Sequence, residues 1–146
     1  MKKIATLFAA AFVGVSAFAQ QALWGGPQVE SPVLNADGTV TFRYLAPKAV
    51  KVTVSGDFLP TRKIQTPYGE FDAPGVAELK EGQNGVWEYT TDFKPAPEMY
   101  SYTFNVDGLN LIDNNNIWVN RDIASMTSTF IVPGGRADLY TVQDVP

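Results

Sequence analysis

Tyr100-Ser101-Tyr102-Thr103-Phe104-Asn105-Val106-Asp107-Gly108 is the stretch that decides the fold. Tyr100, Tyr102, Phe104 and Val106 alternate with Ser101, Thr103 and Asn105. In an extended chain successive side chains point to opposite faces, so the run from Met99 to Val106 is predicted as a strand with one apolar face. Asp107-Gly108 is a tight-turn signal, and Leu109 to Ile112 continues beyond it.

Upstream, the same period recurs. Asn35-Ala36-Asp37-Gly38 is a turn that launches Thr39 to Leu45, with Val40, Phe42 and Tyr44 on one face. Ala46-Pro47-Lys48-Ala49 separates this run from Val50 to Val54, with Val50, Val52 and Val54 on one face. The two runs are expected to pair as a hairpin with one buried face. Residues 56–75 form a long connection rich in Pro and Gly, and Val76 to Leu79 is a short strand. Glu81 to Gly85 turns the chain into Val86 to Thr91, where Trp87 and Tyr89 share a face. Downstream, Asp113 to Asn116 is a polar loop. Ser125 to Val132 and Ala137 to Val142 are the expected closing strands, split by Pro133-Gly134-Gly135. No helical period and no internal repeat interrupts this pattern. Short strands spaced by turn signals predict an all-β, immunoglobulin-like β-sandwich over residues 33–142.

The flanks read differently. Lys2 and Lys3, the apolar run Ile4 to Val15 and Ala17-Phe18-Ala19 have the order of a secretory signal, expected over residues 1–19 with Gln20 as the new N-terminus. The run is shorter than the roughly 20 apolar residues of a spanning helix. The expected location is therefore exported: periplasmic, outer-surface or extracellular. Residues 20–32 form an extended leader that includes Trp24, and residues 143–146 begin a linker.

Composition removes several classes of function. The chain has no histidine and no cysteine, which excludes Ser-His-Asp and Cys-His catalysis, His/Cys zinc sites and any disulfide. Neither a G-x-S-x-G elbow nor a phosphate-binding glycine loop occurs. The formal net charge of −4 disfavours nucleic acid and anionic membrane as partners, because phosphate surfaces repel an acidic protein. Paired carboxylates for glycoside hydrolysis are the one arrangement composition leaves open, but most Asp and Glu sit beside turn residues. No catalytic residue, cofactor or metal is expected, and the chain is not read as an enzyme by itself.

Three stretches in order carry a resemblance. Val50 to Phe58, Gly85-Val86-Trp87-Glu88 and Tyr100 to Gly108 are similar to successive strands and turns of the family 48 carbohydrate-binding modules, which belong to the E-set of immunoglobulin-like domains. A closer resemblance is to the N-terminal module of secreted feruloyl-esterase-like enzymes of gut Bacteroidetes, in which it precedes a carbohydrate esterase family 1 domain. It rests on Thr39 to Val52, Gly56 to Pro60, Thr66 to Glu70, Pro74 to Ala77, Arg121 to Ser125 and Ile131 to Tyr140. The resemblance implies a non-catalytic accessory module. It would present plant cell-wall glycan, a xylan-type polysaccharide, to an adjacent C-terminal esterase domain missing from this chain, or brace that domain. A stand-alone carbohydrate-binding protein and a ligand-free interaction domain are the alternatives.

Glucan-binding members of family 48 stack sugars on tryptophans and fix hydroxyls with Lys and Asn. The resemblance places Leu59-Pro60-Thr61, Asn110 and Thr103 where such residues would stand, which argues against starch or glycogen. The candidate carbohydrate-binding residues are Trp118, Asn114, Asn116 and Asn110. An aromatic plane ringed by amides is what an apolar sugar face needs. The competing expectation, preferred on sequence, packs Trp118 into the core or against an adjoining domain. Trp87, Tyr100 and Tyr102 are expected in the core. Asp113 to Asn116 is read as turn chemistry rather than a calcium loop, and Arg121-Asp122 as a possible ion pair.

Overall fold

The computed structural model describes residues 29–141. The expected signal peptide, most of the leader with Trp24, Val142 and the linker lie outside the described residues. The strands in chain order are β1 (Val33–Leu34), β2 (Val40–Leu45), β3 (Val52–Gly56), β4 (Arg62–Thr66), β5 (Gly69–Ala73), β6 (Gly75–Glu78), β7 (Lys80–Glu81), β8 (Val86–Thr90), β9 (Met99–Val106), β10 (Leu109–Leu111), β11 (Val119–Arg121) and β12 (Met126–Ile131). Short 3-10 turns occupy Gln83–Gly85 and Gly135–Tyr140.

A four-stranded sheet has the order β1-β2-β8-β7, and a six-stranded sheet has β11-β12-β9-β3-β6 with β10 also on β9. All strand pairs are antiparallel. The chain is thus an all-β immunoglobulin-like sandwich.

Register explains the core. Phe42 stands opposite Tyr89 and Tyr44 opposite Trp87 in the first sheet. Val54 faces Phe104 and Ser128 faces Tyr102 in the second. Because alternation is strict, these sets meet between the sheets: Val40, Phe42, Val52, Val54 and Phe104 have no exposed surface. Phe42 is the hub. Its ring stacks on Phe58 at 4.7 Å and meets Tyr102 and Phe130 edge-on at 5.1 and 5.5 Å. Trp87 is 6% exposed and its indole donates to the Ala46 carbonyl at 3.0 Å, so it is core, as its place in the alternation requires.

The turn chemistry follows the sequence. Asp107 and Gly108 have φ of 49° and 93°, the pair of positive values that a tight turn between twisted strands needs. The Asp107 carboxylate also accepts the backbone N–H groups of Val50 and Lys51 at 3.0 and 2.8 Å, tying this turn to the start of β3. At Gly85 φ is 73° and an added Cβ would lie 2.3 Å from Pro47, so any side chain there collides with the Ala46–Ala49 crossover.

Four expectations are corrected. β2 and β3 do not form a hairpin: β2 pairs with β1 and β8, whereas β3 pairs with β6 and β9. The chain crosses from one sheet to the other at Ala46–Ala49, so the two apolar faces meet across the core instead of lying side by side. The connection 56–75 contains a separate two-stranded hairpin, β4 with β5, whose turn holds Pro67-Tyr68. Most of its side chains are exposed, so no apolar alternation marked it. Ala137 to Val142 is not a strand in its described part, because Gly134 and Gly135 at φ 112° and 58° turn the chain into a 3-10 segment. Val50 is 87% exposed and lies just before β3, off the buried face.

Burial sets a pH limit on this core. Removal from water raises the hydroxyls of Tyr44, Tyr89, Tyr100 and Tyr102 above their ordinary value of 10.0, and at Tyr44 and Tyr102 the Asp113 carboxylate adds to the rise. The unfolded chain releases these protons near pH 10, while the folded chain keeps them. Stability is therefore fully present below that pH and is lost as pH rises through it. Tyr102 alone contributes a slope of about 1.4 kcal/mol per pH unit in this window. Urea unfolding between about pH 8 and pH 11.5 is expected to show a flat region and then a steep fall; a flat profile throughout is the contrary result.

Candidate functional site

The site is built from a buried acid. Asp113 follows β10 and has no exposed surface. Its carboxylate accepts the Tyr102 hydroxyl at 2.8 Å and the Asn115 N–H at 2.9 Å, and its own N–H donates to Ser128 Oγ at 2.8 Å. Among the described residues no buried side-chain N or O atom lacks a partner. A buried charge is tolerated only when hydrogen-bonded in this way.

Asn116 extends the network outward. Its side-chain amide donates to the Tyr102 hydroxyl at 3.0 Å and to the Thr129 carbonyl at 2.7 Å. Its Oδ1 accepts the Trp118 N–H at 2.9 Å, and the Thr129 N–H donates to the Trp118 carbonyl at 2.9 Å. The backbone on both sides of Trp118 is thereby fastened to β9 and β12, while the indole projects outward, 65% exposed. The expectation that Trp118 packs into the core is corrected: the loop's inward-facing groups are Asp113 and Asn116, which leaves the tryptophan on the surface.

Trp118 lines a groove of about 700 Å³ along the edge where β1 of one sheet approaches β9 and β12 of the other. Leu34, Met99, Ile117 and Tyr140 supply its apolar surface, and Asn115, Asn116 and Thr129 its polar groups. The sequence candidates separate. Trp118 and Asn116 are in the groove; Asn114 is exposed on the same loop but does not line it. Asn110 stands opposite Asn105 on β9, far along the strand from Met99, and its Oδ1 accepts the Asn105 amide at 2.7 Å. Asn115 and Tyr140 were not recognised from sequence. Asn115 sits within an Asn run that reads as a turn, and Tyr140 falls in the expected closing strand Ala137 to Val142.

The positions where the family 48 resemblance expects sugar contacts make no aromatic platform. Leu59 is 7% exposed and belongs to the core, while Thr103 lies on β9 opposite Ser55. Among the described residues no group of three or more acidic side chains is placed to hold a metal ion. Arg121 and Asp122 do not pair; the Asp122 carboxylate accepts the N–H of Ile123.

No protein-family model and no curated protein matches the chain. Among solved structures it is similar to pullulanase SAP of Group B Streptococcus, at TM-score 0.51 and 19% identity, over 75% of this chain and 15% of that chain. The structure of the same pullulanase in complex with maltotetraose matches at TM-score 0.50 and 20% identity, again over 75% and 15%. The chain therefore spans about 15% of the length of these enzymes, and the likeness bears on the fold alone. What it establishes is the fold, an immunoglobulin-like β-sandwich of a type that also occurs within a much larger chain.

Proposed function

We propose that this protein is a non-catalytic, glycan-binding accessory module of an exported carbohydrate-active enzyme. The observation that carries the proposal is Trp118, an exposed indole on a backbone locked to the sandwich by Asp113, Tyr102 and Asn116. The indole belongs to a contiguous apolar groove with Leu34, Met99, Ile117 and Tyr140, the kind of exposed patch that marks a binding surface, and sugar rings present the apolar faces that stack on indole. The absence of histidine and cysteine supports a module that leaves ester chemistry to another domain. The sequence resemblance supports a feruloyl or xylan esterase as that enzyme, with plant cell-wall glycan as the ligand.

Affinity electrophoresis of the folded protein on xylan, arabinoxylan and starch tests this. Retardation is expected on the xylans and not on starch. Free migration on all of them overturns the proposal. The second reading, a module that braces a neighbouring domain, is favoured by the exposed apolar side chains Ile117, Ile123 and Leu139. It gains ground if no polysaccharide retards the protein.

A further inference from the structure

We infer that the Trp118 groove takes an uncharged glycan chain on two aromatic platforms, Trp118 and Tyr140. This rests on the glycan-binding function proposed above and names the ligand class and a second contact residue. The first observation is electrostatic. Among the described residues no acidic or basic side chain lines the groove. Its polar lining is neutral: Ser31, Asn115, Asn116, Thr129 and Thr141. A uronate or sulfate group entering it would leave water without meeting a counter-charge, which is strongly unfavourable. The net charge of −4 adds a repulsive field for any polyanion.

The second observation is the paired aromatics. Trp118 is 65% exposed and Tyr140 50%, and both line the same groove. Tyr140 closes the 3-10 segment Gly135–Tyr140, which is anchored by buried Ala137 and by the Gly134 N–H donating to Asp138 at 2.9 Å. Two platforms reached from separate elements suit a chain ligand, because successive sugar rings each need a face to stack on. The volume of about 700 Å³ lies within the range of roughly 300–1,000 Å³ usual for ligand sites. Asn115 and Thr129 are placed to meet the hydroxyl rims of a ring that the aromatics hold.

Calorimetric titration of the folded protein with a neutral xylan-derived hexasaccharide and with an oligogalacturonide of equal length tests the inference, at about 20 mM and about 500 mM NaCl. The neutral chain is expected to bind with an affinity that changes less than about twofold with salt, and the galacturonide at least roughly tenfold more weakly. Tyr140→Ala is expected to weaken the neutral ligand roughly tenfold and Tyr140→Phe to retain it. Tyr68→Ala, at a tyrosine 91% exposed on the β4–β5 turn and outside the groove, is expected to leave binding unchanged. Equal or tighter binding of the galacturonide overturns the inference. So does full binding by Tyr140→Ala alongside loss in Trp118→Ala, an outcome that leaves the accessory-module function standing. Failure of both oligosaccharides to bind overturns both readings.

Discussion

Trp118→Ala is expected to bring migration on arabinoxylan to that of a non-binding protein, with thermal stability unchanged. The indole is 65% exposed, so its removal opens no cavity in the core. The backbone bonds that hold the loop, Trp118 N–H to Asn116 Oδ1 and Thr129 N–H to the Trp118 carbonyl, survive the substitution. Stability is therefore expected to move by no more than about 0.5 kcal/mol, as at other exposed positions. Binding is different, because one buried aromatic contact dominates sites of this kind and its loss costs about 2 kcal/mol or more. Gel retardation and a melting curve on the same sample separate the two effects. Undiminished retardation by Trp118→Ala moves the ligand to another face.

Asp113→Ala is expected to destabilise the fold by about 2–4 kcal/mol and to weaken glycan binding with it. The substitution removes a charge-assisted acceptor from the Tyr102 hydroxyl and a second acceptor from the Asn115 N–H. The Tyr102 hydroxyl, on a side chain 1% exposed, then loses its carboxylate acceptor away from water. The Tyr102 hydroxyl also receives the Asn116 amide, so its displacement loosens the bond from Asn116 to Trp118. Urea unfolding measures the first effect and titration of the neutral oligosaccharide the second. Wild-type stability in Asp113→Ala contradicts the role of the buried network. Asp113→Asn, which keeps an acceptor of similar shape, is expected to lose less of both.

The parts of this account legible in the sequence are those governed by alternation. Met99 to Val106, Thr39 to Leu45 and Val86 to Thr91 each showed an apolar face, and Phe104, Phe42 and Trp87 occupy it. Alternation reports which face is buried but is silent on which sheet a strand joins, hence the mistaken β2–β3 hairpin. It is silent too about β4 and β5, which have few buried side chains. The site lay beyond its reach for another reason. Asp113 and Asn116 look like ordinary turn residues in the run Asp113-Asn114-Asn115-Asn116. Their partners, Tyr102, Ser128 and Thr129, are 11 to 15 positions away in the chain. Only folding shows that the polar loop is anchored inward and that Trp118 is consequently turned outward.

The most direct test of the central claim is chemical-shift mapping of the isotope-labelled protein during titration with a neutral xylan-derived hexasaccharide. The expected result is a set of perturbations centred on the Trp118 indole N–H, the Asn115 side-chain amide and Tyr140, with the Asn105–Asn110 pair on the far part of β9 unmoved. Perturbations centred instead on Asn110 and the outer face of β9, with Trp118 silent, contradict it.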